Sequence, residues 1–307
     1  MYFFMLLKFA FDDFIADRRF NNTTESNIKS YKYMIKPFID YCIEEGAVNV
    51  EDVTRSHFKN YLIMAQKQNR KPNTINTIIL RGKAFFNYCV EEGYITENIA
   101  KKIKTQKVDL KIDTFTDQQI NQMLAFYRSQ RKKHQSYSSY RNYLIILVLL
   151  GTGIRRKELI MLRWSDLDFT NQIFQVHGKS RKYETVFLTD KLTRELLAFK
   201  TFSSNFLKNE SEYVFVTNKN EAFTINTIDY VFRELKEKMN FKDTRVSPHT
   251  FRHTFCRNLV QSNVNSFTIM KLMRHENIVT TQRYVNLWGS HLKKENDKHN
   301  PLNNFDF

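Results

Sequence analysis

Cysteine is scarce in this chain. The three present among 307 residues, Cys42, Cys89 and Cys256, are far apart in sequence, so they offer neither a zinc cage nor a disulfide framework, and three reduced, buried thiols are expected. Long apolar runs are missing as well. The longest uncharged one, residues 143–150, closes at Gly151 and falls far short of the roughly 20 residues needed to cross a bilayer; it reads as a buried helix. The opening residues 1–7 are apolar but have no basic leader and run straight into Lys8, Asp12 and Asp13, a poor fit to a signal peptide. A cytoplasmic protein with no membrane partner is the expectation. The sequence also lacks a Gly-x-x-x-x-Gly-Lys phosphate loop, a His-Glu-x-x-His pair and the clustered carboxylates of two-metal nucleases, so no metal site and no cofactor are expected.

Acidic residues are the scarcer charge, 32 against 48 lysines and arginines, for a formal net charge of +16. An acidic polymer is therefore the first partner to consider, although charge alone does not separate nucleic acid from an anionic membrane. A hydrophobic content of 42% with 14% aromatics is enough for a real core in one large domain or in two of ordinary size.

From residue 24 to about residue 103 the apolar positions recur at helical spacing, as in Tyr33, Phe38 and Tyr41 or Ile78, Phe85 and Tyr88, and no strand is expected there. Residues 38–46 and 85–93 resemble each other and each ends in a glycine, Gly46 and Gly93, suited to a left-handed helix cap. Two copies are too few for a solenoid; a shared way of ending a helix is the expected meaning. Residues 100–111 turn polar and basic, which places a linker at 108–112 between a helical domain, 1–107, and a second domain, 113–307. In the second domain helices are expected near 117–128 and 140–150, strands at 173–176, 185–188 and 213–216, and helices again from 225 to 239 and onward. The fold class is thus mostly α with a small antiparallel β-sheet, an α+β arrangement.

Four segments of the second domain carry chemistry. In Ser247-Pro248-His249-Thr250-Phe251-Arg252-His253 the serine caps a helix and proline fills its first turn. His249 and Arg252 then share a face, beside an apolar stripe of Phe251, Phe255 and Leu259. A cationic fork next to an imidazole suits a phosphate, though a solvated basic helix fits the segment equally well. In the segment from Gly151 to Leu162 two glycines end the buried helix and the next begins with Arg155 and Arg156. Either guanidinium could take phosphate oxygens in bidentate fashion, since Arg155 aligns with Leu159 and Arg156 with Ile160. Residues 177–183 form a cation-rich hairpin tip, and His275 is followed nine residues later by Tyr284 on a helix expected to begin near Thr280.

The order of these segments resembles the catalytic pattern of the tyrosine recombinase (phage integrase) family. Carried over position by position, the resemblance assigns two arginines to Arg155 and Arg252, a lysine to Lys179, histidines to His249 and His275, and the nucleophile to Tyr284. It is close over residues 113–286, and residues 24–103 are similar, less specifically, to the family's helical core-binding domain. Met273 and Arg274 precede His275 where the family usually has Leu-Gly; arginine in a left-handed backbone costs on the order of 1 kcal/mol, so a differently shaped helix end is expected. Asn263, also at a frequent glycine position, tolerates that region.

The resemblance implies a site-specific recombinase that cuts and rejoins double-stranded DNA through a 3′-phosphotyrosyl link, without metal or cofactor. Arg155, Arg252 and His275 would hold the phosphate, Lys179 would protonate the leaving 5′ oxygen, and His249 would take part in acid–base work. It further implies a two-domain, Xer-like enzyme acting as a homotetramer on inverted half-sites, in bacterial cytoplasm with the nucleoid. DNA backbone contacts are expected from Lys67, Arg70 and Lys71, from Lys101, Lys102, Lys104 and Lys107 in the linker region, and from Arg181 in the hairpin, and these would set affinity more than sequence preference. The apolar tail beyond Asn286 is expected to dock on a neighbouring protomer. Type IB topoisomerase-like relaxation and a non-catalytic DNA-binding regulator are the rival readings.

Overall fold

A computed structural model describes residues 4–108, 111–134, 136–178 and 183–289. The chain divides into two compact units, residues 1–110 and 111–307.

The first unit is built from α1 (Leu7–Phe20), α2 (Glu25–Glu44), α3 (Arg55–Lys67) and α4 (Pro72–Glu91). Their starts follow from local chemistry. The hydroxyl of Thr24 accepts from the backbone N–H of Asn27, that of Thr54 from His57, and Pro72 sits in the first turn of α4, where its missing N–H costs nothing. α2 and α4 end as expected, with Gly46 and Gly93 at φ +86° and +72°. Between the helices lies an aromatic core of Phe14, Phe38, Phe58, Phe85 and Phe86, all with no exposed surface; the rings of Phe38 and Phe58 meet edge to face at 4.9 Å, a favourable arrangement. Gly82 lets the Phe58 ring lie directly on α4, since a Cβ there would come within 2.4 Å of Phe58 Cζ. Cys42 and Cys89 are buried free thiols in this core, and Cys256 is one in the second unit.

The second unit runs α5 (Asp117–His134), α6 (Tyr137–Thr152), α7 (Arg156–Met161), β1 (Leu167–Asp168), β2 (Ile173–His177), β3 (Tyr183–Phe187), α8 (Asp190–Leu207), α9 (Ile225–Met239), α10 (Pro248–Gln261), α11 (Ser266–Met273) and α12 (Ile278–Trp288). The apolar run at 143–150 is the body of α6, whose Leu144, Ile145, Ile146, Val148 and Leu149 are buried. The sheet is antiparallel in the order β1-β2-β3, with Phe174 opposite Val186. The fold is therefore mostly helical with a small antiparallel sheet.

Two sequence expectations are corrected. Residues 213–216 are not a strand: they make single bridges, Arg163 with Tyr213 and Val216 with Ala222. The reason is that Val214, Phe215 and Val216 are all buried without alternation, and the Val216 carbonyl is taken by the guanidinium of Arg141 at 2.9 Å instead of by a neighbouring strand. The third strand is β1, too short to show a period. The final helix begins at Ile278 and not near Thr280, because the Asn277 side chain accepts from the N–H of Val279 at 2.8 Å and caps it there.

No described helix is long and apolar enough to cross a membrane.

Candidate active site

α6 ends at Gly153, which adopts φ +58°. Any Cβ at that point would come within 2.4 Å of Phe255 on α10, so glycine serves both the left-handed turn and the close approach of two helices. The turn leaves Arg155 extended, as the residue that precedes α7, and sends its side chain inward. Its Nη1 donates to Glu158 Oε1 at 2.6 Å and its Nη2 donates to the backbone carbonyl of Arg274. Arg156 instead pairs with Asp229 on α9.

Arg252 comes from α10, is 6% exposed, and donates to two carbonyls, Gly153 O at 2.5 Å and Met273 O. Arg155 and Arg252 therefore grip successive carbonyls, those of residues 274 and 273, at the end of α11. A helix C-terminus is the favourable place for cations, and each guanidinium spends two N–H groups there or nearby out of the five it carries. Burial, then Arg155 and Arg274, push the pKa of Arg252 down to about 10, so it stays charged at neutral pH.

Arg274 keeps the left-handed backbone, φ +53°, despite its side chain, so the expectation of a differently shaped helix end is corrected. The conformational cost is offset by contacts no glycine could make. The Arg274 guanidinium donates to Glu158 Oε2 at 3.1 Å and to Leu272 O at 3.1 Å, and its side chain is 3% exposed. Glu158 thus accepts from the Arg155 side chain, from the Arg155 backbone N–H at 2.8 Å and from Arg274. Burial alone would raise its pKa; Arg274 and the Arg155 donors outweigh that and hold it low. Glu184 on β3 stands 3.7 Å from Arg155 Nη1 and 3.9 Å from Arg274 Nε. Asn263 is left-handed as well, at φ +57°.

Around this cluster α10, α11 and α12 form a small core of Cys256, Val260, Ile269, Met273 and Tyr284. Tyr284 is 7% exposed, and its hydroxyl lies 2.8 Å from Nδ1 of His253. Burial, then Cys256, push its pKa up to about 12, with Arg252 pulling the other way. The His275 ring stacks beside Tyr284 at 6.0 Å, with its Nδ1 2.9 Å from the Thr281 hydroxyl; burial and the three arginines lower its pKa to about 4. His249 sits one turn before His253 at the exposed mouth, its pKa lowered by partial desolvation and by Arg156, Arg252 and Arg245.

Of the residues singled out in sequence, Arg155, Arg252, His249, His275 and Tyr284 are brought together. Lys179 and Arg181 lie outside the described residues, as does the tail from residue 290; the strands β2 and β3 that flank the hairpin are paired up to His177 and Tyr183. Lys67, Lys71, Lys101, Lys102, Lys104 and Lys107 are exposed and Arg70 is half-buried, all in the first unit. Sequence reasoning missed Glu158, Glu184, Arg274 as a contributor of charge, and His253; the signal for His253 was its place one turn after His249. Among the described residues no three histidines, cysteines or carboxylates are grouped to hold a metal. A groove of about 1120 Å³ lined by Met5, Glu51, Tyr94 and Glu97 belongs to the first unit and not to this cluster.

Residues 113–291 match the model of the phage integrase family, and residues 11–96 that of the phage integrase N-terminal SAM-like domain. The chain is 28% identical over 283 residues to a tyrosine recombinase of Pseudothermotoga lettingae, covering 90% of this chain and 92% of the relative. It is 24% identical to the tyrosine recombinase XerC of Listeria innocua, covering 96% and 97%. Its fold is similar to that of the Tn1549 transposon integrase in complex with circular intermediate DNA, with a TM-score of 0.73, 20% identity and coverage of 91% and 95%. The XerH site-specific recombinase bound to palindromic difH substrate is similar too, with a TM-score of 0.74, 17% identity and coverage of 89% and 80%.

Proposed function

Since the chain belongs to the phage integrase family, we propose that it is a site-specific recombinase that cleaves double-stranded DNA with Tyr284 and rejoins it without metal or cofactor. The observation that carries the reading is the convergence of Arg155 and Arg252 on adjacent carbonyls of one helix end, beside a buried phenol whose ionisation Arg252 favours.

A phosphodiester is an anion that repels a phenolate, so the site must neutralise charge about phosphorus. The remaining guanidinium donors of Arg155 and Arg252 meet the non-bridging oxygens and stabilise the pentacoordinate transition state, where preorganised donors count most. His275 adds a donor. The phenolic oxygen forms a bond to phosphorus, the bond to the 5′ oxygen breaks, and Lys179 supplies the proton to that leaving oxygen. His249, at the mouth, serves acid–base work. The 3′-phosphotyrosyl bond keeps the energy of the phosphodiester, and attack by a 5′ hydroxyl reverses each step.

The lysines and arginines at 67–71 and 101–107, with Arg181, contact backbone phosphates. The enzyme acts as a homotetramer on inverted half-sites, with the tail beyond Asn286 docking on a neighbouring protomer. Residues 1–107 form the core-binding domain and 113–307 the catalytic domain. The location is the bacterial cytoplasm, at the nucleoid.

The test has two stages. DNA retained by Tyr284→Phe from a pool of random duplexes is sequenced to give the site, and a nicked duplex carrying that site is then offered to both proteins. The wild type should be trapped as a covalent adduct and the variant should not. No adduct with the wild type, or an equal one with Tyr284→Phe, overturns the reading.

A further inference from the structure

We propose that His253 takes the phenolic proton of Tyr284 as the strand is cut and returns it as the strand is rejoined. The inference rests on the reading of Tyr284 as nucleophile and adds a catalytic residue to it.

Geometry comes first. Nδ1 of His253 on α10 and the hydroxyl of Tyr284 on α12 are 2.8 Å apart, within reach for direct transfer. Among the described residues the other candidates are placed differently. His275 commits its Nδ1 to Thr281, and its ring lies near-parallel to the phenol ring at 6.0 Å between centroids without a hydrogen bond to the hydroxyl, whose described partner is His253. His249 is a turn away, its ring 6.3 Å from that of His253. The thiol of Cys256, which also acts on Tyr284, is pushed up to about 12 by burial and stays neutral.

The electrostatics suit the role. The groups that act on His253 are His249 and Arg252 from its own helix, Asp113 from the segment before α5, and His275 and Tyr284 from across the site. Burial, then His249 and Arg252, lower the His253 pKa to about 4, and Asp113 opposes them. The imidazole is therefore neutral at neutral pH, and in the tautomer with its hydrogen on Nε2 the Nδ1 lone pair accepts from the phenol across the 2.8 Å contact. In the free protein the proton stays on oxygen, because the phenol holds it far more tightly than this imidazole does. A phosphate docked on Arg155 and Arg252 brings negative charge into the field that disfavours the imidazolium, so transfer becomes easier once DNA is in place. The proton then moves from oxygen to Nδ1, the oxygen lone pair forms the bond to phosphorus, and the electron pair of the broken bond leaves on the 5′ oxygen. Rejoining runs the same transfers backward.

The test measures single-turnover adduct formation on the nicked duplex against pH for the wild type, His253→Asn and His253→Ala. The asparagine amide oxygen can stand where Nδ1 stood and accept the same hydrogen bond, but it cannot carry the proton. Both variants should bind DNA as the wild type does and form adduct on the order of 10²-fold to 10⁴-fold more slowly, with a residual rate that climbs with pH as hydroxide takes over. Fluorotyrosine at position 284, whose phenol ionises more readily, should restore part of the rate of His253→Asn, which a merely structural role would not allow. If either substitution prevents cooperative melting, His253→Gln replaces it, and fluorotyrosine in the wild type should flatten the pH profile. A rate for His253→Asn within threefold of wild type at neutral pH overturns the inference alone; absence of adduct with the wild type overturns the assignment of Tyr284 itself.

Discussion

Replacing Glu158 with glutamine keeps the shape of the side chain and removes one negative charge from the centre of the arginine cluster. The carboxylate is 5% exposed and faces Arg274, itself 3% exposed, while also receiving the side chain and backbone N–H of Arg155. Removing one partner of a buried pair and leaving the other charged costs about 3–5 kcal/mol. In a unit of this size, each kcal/mol lowers Tm by roughly 2–4 °C, so Glu158→Gln should melt on the order of 10 °C lower at pH 7. The pH dependence has a defined sign. Because the folded-state pKa of Glu158 is depressed, its contribution is complete above the unfolded carboxylate value of about 4.3 and disappears as pH falls through the lower folded value. The gap between wild type and variant should therefore be full at neutral pH and close in acid.

A second substitution isolates the cause. Arg274→Gly removes the charge that Glu158→Gln strands and also relieves a left-handed conformation that costs about 1–2 kcal/mol in a non-glycine residue. Thermal melts followed by circular dichroism should place the double variant several degrees above Glu158→Gln alone, a coupling of roughly 1–3 kcal/mol. A Glu158→Gln Tm within 2 °C of wild type (about the shift for 1 kcal/mol), or strictly additive effects in the double variant, would refute the reasoning.

Arg252→Lys retains charge but cannot span the carbonyls of Gly153 and Met273; adduct formation should drop about 10²-fold to 10³-fold, and near-normal trapping on the nicked duplex would contradict the placement. Gly82→Ala should lower the stability of the first unit by about 1–3 kcal/mol, because its Cβ would strike the Phe58 ring, a shift that urea denaturation can read. Alanine at Lys101 or Lys104 should reduce the slope of log binding constant against log salt by about 0.9 each if each meets a phosphate, while a surface role would leave the slope unchanged.

Helix ends were the most legible features in sequence, because they depend on neighbours within a turn: Gly46, Gly93, Gly153 and the Ser247-Pro248 start all behave as their local chemistry requires. Periodicity left the choice between Arg155 and Arg156 open, since both align with apolar residues, Leu159 and Ile160, that are buried, and only the resemblance to the family picked Arg155. Helical periodicity did not apply to Arg155 at all; it precedes the helix, and the left-handed Gly153 turn aims it. Arg274 was readable as an oddity and not as a solution, because its partner Glu158 lies 116 residues earlier. The same is true of His253, whose contact with Tyr284 spans 31 residues. Residues 213–216 misled for the opposite reason: a short apolar run has strand composition whether its carbonyls face another strand or, as here, a buried arginine.

The way Arg155 and Arg252 are held bears on the phosphate-binding role proposed for them. A carboxylate would orient a guanidinium well but would also cancel the charge meant for substrate. Both described acceptors of Arg252 are backbone carbonyls, and Arg155 has one carbonyl beside the hydrogen-bonded carboxylate of Glu158 and the more distant one of Glu184. Carbonyls fix direction through dipoles and leave net charge in place. The end of α11 can offer two of them in succession because residue 274 turns left-handed, and that turn is kept even though an arginine occupies it. Its guanidinium then needs a counter-ion of its own, which Glu158 supplies from the far side. The unusual residue is thus tolerated because its charge is paired with Glu158, whereas the charge of Arg252 is oriented by carbonyls and left uncancelled for the phosphate that the proposed function places there.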